Sequence, residues 1–411
     1  MSAFVVVGGG PAGMMAALRA AERGWQVSLL ERNEKLGKKL YITGKGRCNL
    51  TNTADTEEFF RHILRNPRFL MSGWQRFDNR ALMAAIEQMG VPLKEERGRR
   101  VFPVSEKASD VTRALERALR ARGVTVVLHC RVKEIITENT PQGTRVTGVM
   151  DQEGHIYPAQ HVVVATGGLS YPATGSTGDG FVMAQAMGLE VTGCAPSLVS
   201  LVSGAEWISE LAGLSLKNVA LHASGFSPKV RKPWRSVVGE MMFTHKGVSG
   251  PLVLTLSAMA DTWPFTLHID LKPGLDMSEL DARLLRDVGE NSRKQLRNAL
   301  AGLLPAALLP VVLTQAGLSP EQFAHQLDKP ARSRLGEALK GLSVPVTGSG
   351  GYEEAVVTRG GVTVKQLNPR TMEAKTIAGL AFAGEMLDVD GTTGGFNLTI
   401  AFVTGYCAGD V

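Results

Sequence analysis

The stretch AFVVVGGGPAG at residues 3–13 decides the fold. Residues 3–7 form a short apolar run rich in β-branched valine, which is typical of a buried parallel strand. A glycine turn follows, and residues 14–23 have the alanine-rich composition of a helix that Gly24 ends. Residues 25–30 form a second apolar run, and Glu31 comes directly after it. Together these segments predict the βαβ unit of a Rossmann-like α/β domain.

The glycines of this turn match the G-x-G-x-x-G pattern of dinucleotide-binding proteins. Gly8 permits the tight turn, Gly10 lets the backbone approach a pyrophosphate, and Gly13 lets the helix pack closely on the strand. Pro11 and Ala12 lie between these glycines, and the free N–H groups and partial positive charge of the helix N-terminus favour a phosphate. We therefore expect a dinucleotide to bind here.

Glu31 follows Gly13 at close to the ~20-residue spacing expected of the acid that binds a ribose. Its carboxylate would accept hydrogen bonds from the ribose hydroxyls and would disfavour a 2′-phosphate, which argues against NADP. The pattern does not separate FAD from NAD. Because no second such pattern follows a strand, we expect no dedicated nicotinamide domain.

Two later segments favour FAD. The run VVVATGG at residues 162–168 predicts a buried strand whose end brings backbone against a dinucleotide, and Glu385 follows another such run and can bind a ribityl hydroxyl. Gly394 and Gly395 leave room for a flat ring. The helix expected near Asn397 would point its positive end at that ring, where reduced flavin carries negative charge.

Composition narrows the functional classes. The 46 glycines among 411 residues are clustered, not periodic, and the net charge of +6 comes mostly from basic residues interleaved on helix faces. Only KVRKPWR at residues 229–235 forms a basic patch. The four cysteines are far apart, so we expect no metal site. Sparse cysteine, the absence of a signal-like N-terminus and the absence of a long apolar run predict a cytoplasmic protein without a membrane partner.

Further motifs resemble a bacterial family of FAD-binding proteins with aminoacetone oxidase-like and 3-dehydro-bile-acid reductase-like members. The matching stretches span most of the chain: GKKL at 37–40, TGKGRCNLTN at 43–52, SYP at 170–172, TGSTGDG at 174–180, GEMMFTH at 239–245, GVSGP at 247–251 and FAGEMLDVDG at 382–391. More distantly, the TGDG and GE motifs resemble the fumarate reductase and L-aspartate oxidase flavoproteins. One departure is Thr399, which stands where the family pattern has Gln.

The resemblance implies a discontinuous FAD domain, residues 1–190 and 346–411, around an inserted domain at 191–345. Within this range, the alternating apolar residues and turns at about 195–272 predict an antiparallel β module, and the Leu-, Ala- and Arg-rich composition at about 276–342 predicts a helical part. The resemblance also implies FAD contacts, and with the motifs above it gives these candidate cofactor-binding residues: Gly8, Gly10, Pro11, Ala12, Gly13, Glu31, Arg32, Lys39, Leu40, Gly44, Gly46, Arg47, Cys48, Asn49, Val132, Thr166, Gly167, Asp179, Gly384, Glu385, Gly394, Gly395, Phe396, Asn397 and Leu398.

The candidate catalytic residues are His245, Thr244, Tyr171 and Asn49. His245 could act as a general acid or base, since histidine titrates near neutral pH. The alternative is that the strand and turn around His245 only close the inserted domain. Tyr171 precedes a proline and could merely order a loop.

Three functional classes follow. The favoured one is an FAD-dependent oxidoreductase that transfers hydride to or from a small or medium organic substrate bound between the two domains, by C=C reduction or amine oxidation. NAD(P)H or O2 would be its redox partner. The alternatives are a flavin-dependent RNA-modifying protein, although one basic patch is weak evidence for nucleic acid, and a flavin redox sensor without turnover. The oligomeric state stays open.

Overall fold

The computed structural model describes residues 3–230 and 232–411. The chain divides into two compact units, the first formed by Met1–Ser197 with Gly351–Val411 and the second by Leu198–Gly350. We call them the first unit and the inserted unit. The inserted unit begins and ends a few residues later than the 191–345 range that the family resemblance implies.

The first unit contains a five-stranded parallel sheet. Its strands are Ala3–Val7 (β1), Gln26–Leu30 (β2), Thr125–Val127 (β3), His161–Val164 (β4) and Leu380–Phe382 (β5). The spatial order is β5-β4-β1-β2-β3, and every pair is parallel. After β1 the chain forms β2 and β3 on one side of it and then β4 and β5 on the other side, so the topological switch point lies between β1 and β4. The predicted Rossmann-like α/β class is confirmed.

Two helices pack against each other beside this sheet with little side-chain volume between them. The first helix, Pro11–Glu22, begins three residues before its expected start, and the C-terminal helix spans Phe396–Gly409. A Cβ on Gly405 would lie 2.2 Å from the carbonyl oxygen of Ala12, and one on Gly409 would lie 2.3 Å from that of Ala16. The two glycines are one helical turn apart, so they let the backbones touch along a single face.

The remaining elements of the first unit surround this core. Its other helices are Thr56–Arg61, Pro67–Trp74, Asn79–Gln88, Ala108–Ala121 and Asp179–Ala186. A meander of Val132–Thr140, Gly143–Asp151 and Ile156–Pro158 is joined by Ile377–Ala378, and Ala195–Ser197 pairs with Val357–Arg359.

The sequence predicts that residues 55–122 are mostly helical with a break around Val101–Pro103. The structure has four helices in this range, and the break between the third and the fourth is longer than predicted. Leu93–Glu96 and Arg100–Pro103 form a hairpin, and Thr51–Asn52 adds a third strand to it. Their short and charged sequences carry little strand pattern, so the pairing depends on a partner about 50 residues away in sequence.

The inserted unit contains a closed antiparallel barrel of six strands. Each strand pairs with two neighbours, and Ser215–Ala223 closes the ring by pairing with both Gly239–Thr244 and Phe265–Asp270. The other three strands are Leu201–Ser203, Gly247–Ser249 and Leu342–Ser349, and Trp234–Arg235 extends the edge of Ser215–Ala223. The barrel is therefore not contiguous in sequence, because its last strand follows the helical part.

The helices of the inserted unit complete its separate apolar core. They are Trp207–Glu210, Pro251–Met259, Met277–Glu290, Leu296–Ala299, Leu308–Gln315 and Lys329–Lys340. Across the described parts of both units, no helix combines the length and apolar character needed to cross a membrane.

Candidate functional site

A large cavity opens in the first unit at the carboxyl ends of β1, β2, β4 and β5. It encloses about 1,320 Å³, including space open to solvent. Residues at the beginnings of the first helix and of the C-terminal helix line it together. This is the crevice at a topological switch point in which open α/β sheets bind nucleotides.

The cavity gathers most, but not all, of the candidate cofactor-binding residues. Those that line it are Gly8, Gly10, Pro11, Ala12, Glu31, Arg32, Lys39, Leu40, Val132, Thr166, Gly167, Asp179, Gly384, Glu385, Asn397 and Leu398. Those outside its lining are Gly13, Gly44, Gly46, Arg47, Cys48, Asn49, Gly394, Gly395 and Phe396. Their individual roles toward the cofactor stay predictions.

The glycine turn presents bare backbone to the cavity. Gly8 adopts a φ of 105°, and a Cβ there would lie 2.5 Å from the carbonyl oxygen of Ala165. A Cβ on Gly13 would lie 1.9 Å from the carbonyl oxygen of Gly8, so the helix lies directly on the turn. Gly10 precedes the helix without any side-chain cap. The first N–H groups of the helix are therefore left for a ligand.

Glu31 is buried at the end of β2. Its Oε2 accepts a hydrogen bond from the backbone N–H of Gly9 at 2.7 Å, and its Oε1 accepts from the backbone and side-chain nitrogens of Asn33 at 2.8 and 2.7 Å. These bonds hold the carboxylate rigidly. A carboxylate can accept about four hydrogen bonds, so capacity for a ribose hydroxyl remains.

Glu385 is the centre of a polar network on the opposite wall. Its Oε2 lies 2.7 Å from the Nζ of Lys39, and its Oε1 accepts from Ser170 Oγ at 2.6 Å and from the backbone N–H of Thr358 at 2.8 Å. Lys39 also donates to Ser170 at 2.6 Å. Burial works to raise the pKa of Glu385, but the Lys39 ammonium and these bonds outweigh it, and the pKa lies below its ordinary value. The carboxylate is therefore ionised and fixed.

The glycine loop before the C-terminal helix is packed tightly against the 49–52 segment. A Cβ on Gly395 would lie 2.3 Å from the carbonyl oxygen of Thr51. The Asn49 amide, in the orientation that satisfies its neighbours, accepts from Gly395 N at 3.1 Å and donates to Thr51 O at 3.3 Å. Thr399, the departure from the family pattern, shares a hydrogen bond of 2.7 Å with Thr51 Oγ1. Both threonine hydroxyls are thus used within the protein.

Arg47 and Cys48 are engaged in packing and ion pairs. Arg47 pairs with Glu96 and Glu106, and its guanidinium carbon lies 4.3 Å above the centre of the Phe102 ring. Cys48 is fully buried, and burial raises the pKa of its thiol to about 12. A thiol held protonated in this way is a poor nucleophile.

The four candidate catalytic residues fall in different units. Thr244 and an exposed His245 are at the turn between Gly239–Thr244 and Gly247–Ser249 of the inserted unit. Tyr171 and Asn49 belong to the first unit. Tyr171 has a left-handed backbone, and its N–H donates to the carbonyl oxygen of Tyr352 at 2.8 Å. Their catalytic roles stay predictions.

Sequence analysis missed four polar residues that support the cavity. Ser170 and Thr358 hold Glu385, and Thr404 accepts a hydrogen bond from Gly384 N at 2.9 Å from within the C-terminal helix. Arg131 lines the cavity beside Val132. Ser170 belongs to the SYP motif that matched the family, but no motif around Thr358 or Thr404 indicates that they support the cavity.

A second polar cluster lies outside the cavity. Asp151, Glu153 and His155 place one possible ligand atom each within 4.8 Å of one another. The buried Asp151 carboxylate already accepts from His155 N at 2.9 Å and from Tyr157 Oη at 3.2 Å. These bonds give it a structural role in the turn.

The cavity fits FAD on its own features. The uncapped first turns of two helices offer N–H donors to anionic groups, Glu31 retains acceptor capacity for a ribose, and Gly10 has no atom within 4 Å of a Cβ position, so space is open in front of it. The lining residues come from both ends of the chain, as an extended dinucleotide requires.

Comparisons with known proteins agree with this assignment. Residues 2–411 match the family model described as the HI0933-like protein Rossmann domain. The chain is 30% identical to the ribosomal RNA dihydrouridine synthase of Escherichia coli K12 over 99% of this chain and 97% of the relative. It is 29% identical to the 3-dehydro-bile acid delta(4,6)-reductase of Clostridium scindens over 100% and 98%.

Among solved structures, the 3-ketosteroid delta1-dehydrogenase of Sterolibacterium denitrificans shares the fold. Its TM-score is 0.53 at 14% identity, over 100% of this chain and 99% of that one. The family resemblance predicted from the motifs is confirmed. The cavity, the family match and the full-length reductase relative together identify the chain as an FAD-dependent oxidoreductase.

Proposed function

Because the chain belongs to the HI0933-like Rossmann-domain family, we propose that it uses FAD to reduce a carbon–carbon double bond conjugated to a carbonyl group. The substrate would be a small or medium organic molecule. The cavity with two uncapped helix N-termini carries the proposal, and the bile-acid reductase that matches the full length of the chain supports the direction of the reaction.

Different residues of the chain would bind different parts of FAD and the substrate. When bound, the flavin supplies the hydride chemistry. The first helix would bind the pyrophosphate and Glu31 the adenosine ribose, and the Lys39–Glu385 pair would bind the ribityl chain on the other side of the pyrophosphate. The C-terminal helix would favour negative charge at its N-terminus. His245 or Tyr171 would deliver a proton to the substrate.

Anaerobic reduction followed by re-oxidation tests the proposal. The purified protein should be yellow and release FAD on denaturation. After reduction with NADH or NADPH, measured separately through the flavin absorbance, the enzyme should be re-oxidised by α,β-unsaturated ketones and not by saturated ketones or by the imine products expected of an amine oxidase. Reduction of the bound flavin by amines, with no re-oxidation by unsaturated ketones, would overturn it.

A second candidate is reduction of a uracil base in RNA. Residues 211–239 contain five lysines and arginines and no acidic residue. Lys217, Lys229, Lys232 and Arg235 are exposed, and Arg231 lies outside the described residues. The ribosomal RNA dihydrouridine synthase among the relatives supports this reading. Such a segment can neutralise phosphates, so binding should weaken steeply with salt.

RNA binding at low salt separates the two candidates. Protein-free ribosomal RNA should bind the wild type, and a variant with Lys229→Ala, Lys232→Ala and Arg235→Ala should bind more weakly with a smaller salt slope. A matched control, Arg283→Ala with Arg286→Ala on the helix Met277–Glu290, should bind as the wild type does. Undetectable affinity at low salt would end the RNA candidate and leave the reduction of small molecules unaffected.

A further inference from the structure

A cluster of charged side chains lines the cavity next to Glu31. Arg131 donates to Asp179 through two parallel bonds, Nε to Oδ2 at 2.7 Å and Nη2 to Oδ1 at 2.9 Å. Arg32 Nη1 lies 3.2 Å from the same Oδ2, and Thr177 Oγ1 donates to Oδ1 at 3.0 Å. Both carboxylate oxygens of Asp179 are therefore taken by the protein.

The three charged residues come from three different segments. Arg32 follows Glu31 at the end of β2, Arg131 precedes the strand Val132–Thr140, and Asp179 begins the helix Asp179–Ala186. All three line the cavity. The Asp179 carboxylate is thus the point at which these walls are joined.

The loop at residues 172–178 is held by Arg32 of this cluster and by the neighbouring Asn33. Arg32 Nη1 donates to Thr177 Oγ1 at 2.5 Å, and Asn33 Nδ2 donates to the carbonyl oxygen of Thr174 at 3.0 Å. Thr174, Gly175 and Ser176 of this loop line the cavity. An outward movement of the loop would have to break these bonds.

The ion pairs are accessible to salt. The side chains of Arg32, Asp179 and Arg131 are 29%, 22% and 40% exposed. The bonds from Arg131 lower the pKa of Asp179, so the carboxylate is ionised at neutral pH. Partly exposed pairs of this kind are weakened by salt.

We propose that Asp179 is a positioning residue and not an FAD ligand: its carboxylate clasps Arg131 and Arg32 across the cavity and thereby limits release of the adenosine end of bound FAD. The family resemblance implies a direct contact of Asp179 with FAD, and the geometry instead gives both of its oxygens to arginine and threonine. The clasp depends on FAD binding but not on which substrate is reduced.

FAD release from the holoenzyme tests the clasp without any activity measurement. Release into an excess of an FAD-binding trap is followed by flavin fluorescence for the wild type, Asp179→Asn, Arg131→Lys and the double variant. Each single variant should release FAD about tenfold faster, because each removes one charge-assisted, two-point contact. The double variant should be no faster than Asp179→Asn, because Arg131→Lys breaks a contact that Asp179→Asn has already lost.

Salt gives the second readout. Wild-type release should accelerate as salt is raised, and release from Asp179→Asn should depend on salt much less. Glu138→Gln, which breaks the exposed pair with Arg145 in the same unit, is the control and should match the wild type. Thermal unfolding of each apoprotein checks folding, and Arg131→Lys carries the test if Asp179→Asn does not fold.

Two results would overturn the proposal. In one, Asp179→Asn accelerates release while Arg131→Lys does not, which would make Asp179 a direct ligand. In the other, the two effects add in the double variant or the salt dependence survives in Asp179→Asn, and either outcome would show that the arginine contact does not control release.

Discussion

The close crossing of the first helix and the C-terminal helix makes Gly405→Ala a sharp test of how the cavity is built. The new methyl carbon would lie 2.2 Å from the carbonyl oxygen of Ala12. That is more than 1 Å short of the ~3.5 Å separation of atoms in contact. The obstacle is backbone in the middle of two packed helices, so no side-chain rotation relieves it, and the helices must separate.

The size of the effect follows from this overlap. Overpacking of a core costs about 1–3 kcal/mol, which lowers the melting temperature of a large domain by several degrees, at roughly 2–4 °C per kcal/mol. Ala12 lines the cavity at the start of the first helix. Moving the start of this helix would weaken the hydrogen bonds that its free N–H groups would donate to the pyrophosphate. Each hydrogen bond to a charged group contributes about 1.5–3 kcal/mol, so we expect FAD affinity to fall at least tenfold.

Gly409→Ala is the matched variant. Its methyl carbon would lie 2.3 Å from the carbonyl oxygen of Ala16, a turn farther from the cavity. It should destabilise the protein by a similar amount and weaken FAD binding less. Gly289→Ala, in the helix Met277–Glu290 with no atom within 4 Å of the added carbon, should be neutral or slightly stabilising.

Thermal unfolding of the apoproteins and titration with FAD measure both quantities. The expected pattern is loss of stability in Gly405→Ala and Gly409→Ala, and the larger loss of affinity in Gly405→Ala alone. A Gly405→Ala protein that melts like the wild type and binds FAD equally well would refute the argument that this crossing sets the position of the first helix.

Glu31→Ala should shorten FAD retention, measured by gel filtration of the holoprotein, because it removes the proposed ribose acceptor; unchanged retention would show that Glu31 is not that ligand. Glu385→Gln should weaken FAD binding and lower stability at neutral pH by about 1–3 kcal/mol, since it leaves Lys39 without its charged partner. The pKa of Glu385 is lowered in the folded protein, so the stability it contributes is fully present above the ordinary pKa and is lost as the pH falls from there through the lowered pKa. Denaturant titrations should show the two proteins converging in acid, and a constant difference would contradict this account. Burial raises the pKa of Cys48 to about 12 and that of Cys407 to about 11, so neither thiol should react with a thiolate-specific reagent at pH 8 until the protein is unfolded. Rapid labelling of either in the native protein, detected by peptide mass, would show that these thiols are not buried as described.

The parallel sheet was predictable because its signals are local. A valine-rich run, a glycine turn and an acid at the end of the next strand each report on neighbouring residues, and their spacing alone indicates a nucleotide-binding βαβ unit. The strand Leu380–Phe382, which precedes Glu385, was also predictable because its apolar run is a local signal. In contrast, the hairpin Leu93–Glu96 with Arg100–Pro103 is made of short charged segments, whose strand character comes from pairing with Thr51–Asn52.

The barrel of the inserted unit is a second case in which local sequence does not predict which strands pair. The alternating pattern of residues 195–272 indicates antiparallel strands, but the sixth strand, Leu342–Ser349, arrives after the helical part. Which strands become neighbours depends on contacts between residues far apart in the chain. Local periodicity contains no information about that choice.

The sequence by itself determined the class of the protein and its cofactor, because the fingerprint glycines, Glu31 and Glu385 are recognisable from their immediate neighbours. Only the tertiary structure decided which groups contact one another around the cavity. Ser170 and Thr358 contact Glu385, Arg131 and Arg32 contact Asp179, and Ala12 packs against Gly405. Each of these contacts joins residues tens to hundreds of positions apart. Hydrogen bonds and close packing depend on distance in space, so they are specified only once the sheet and helices have brought these segments together.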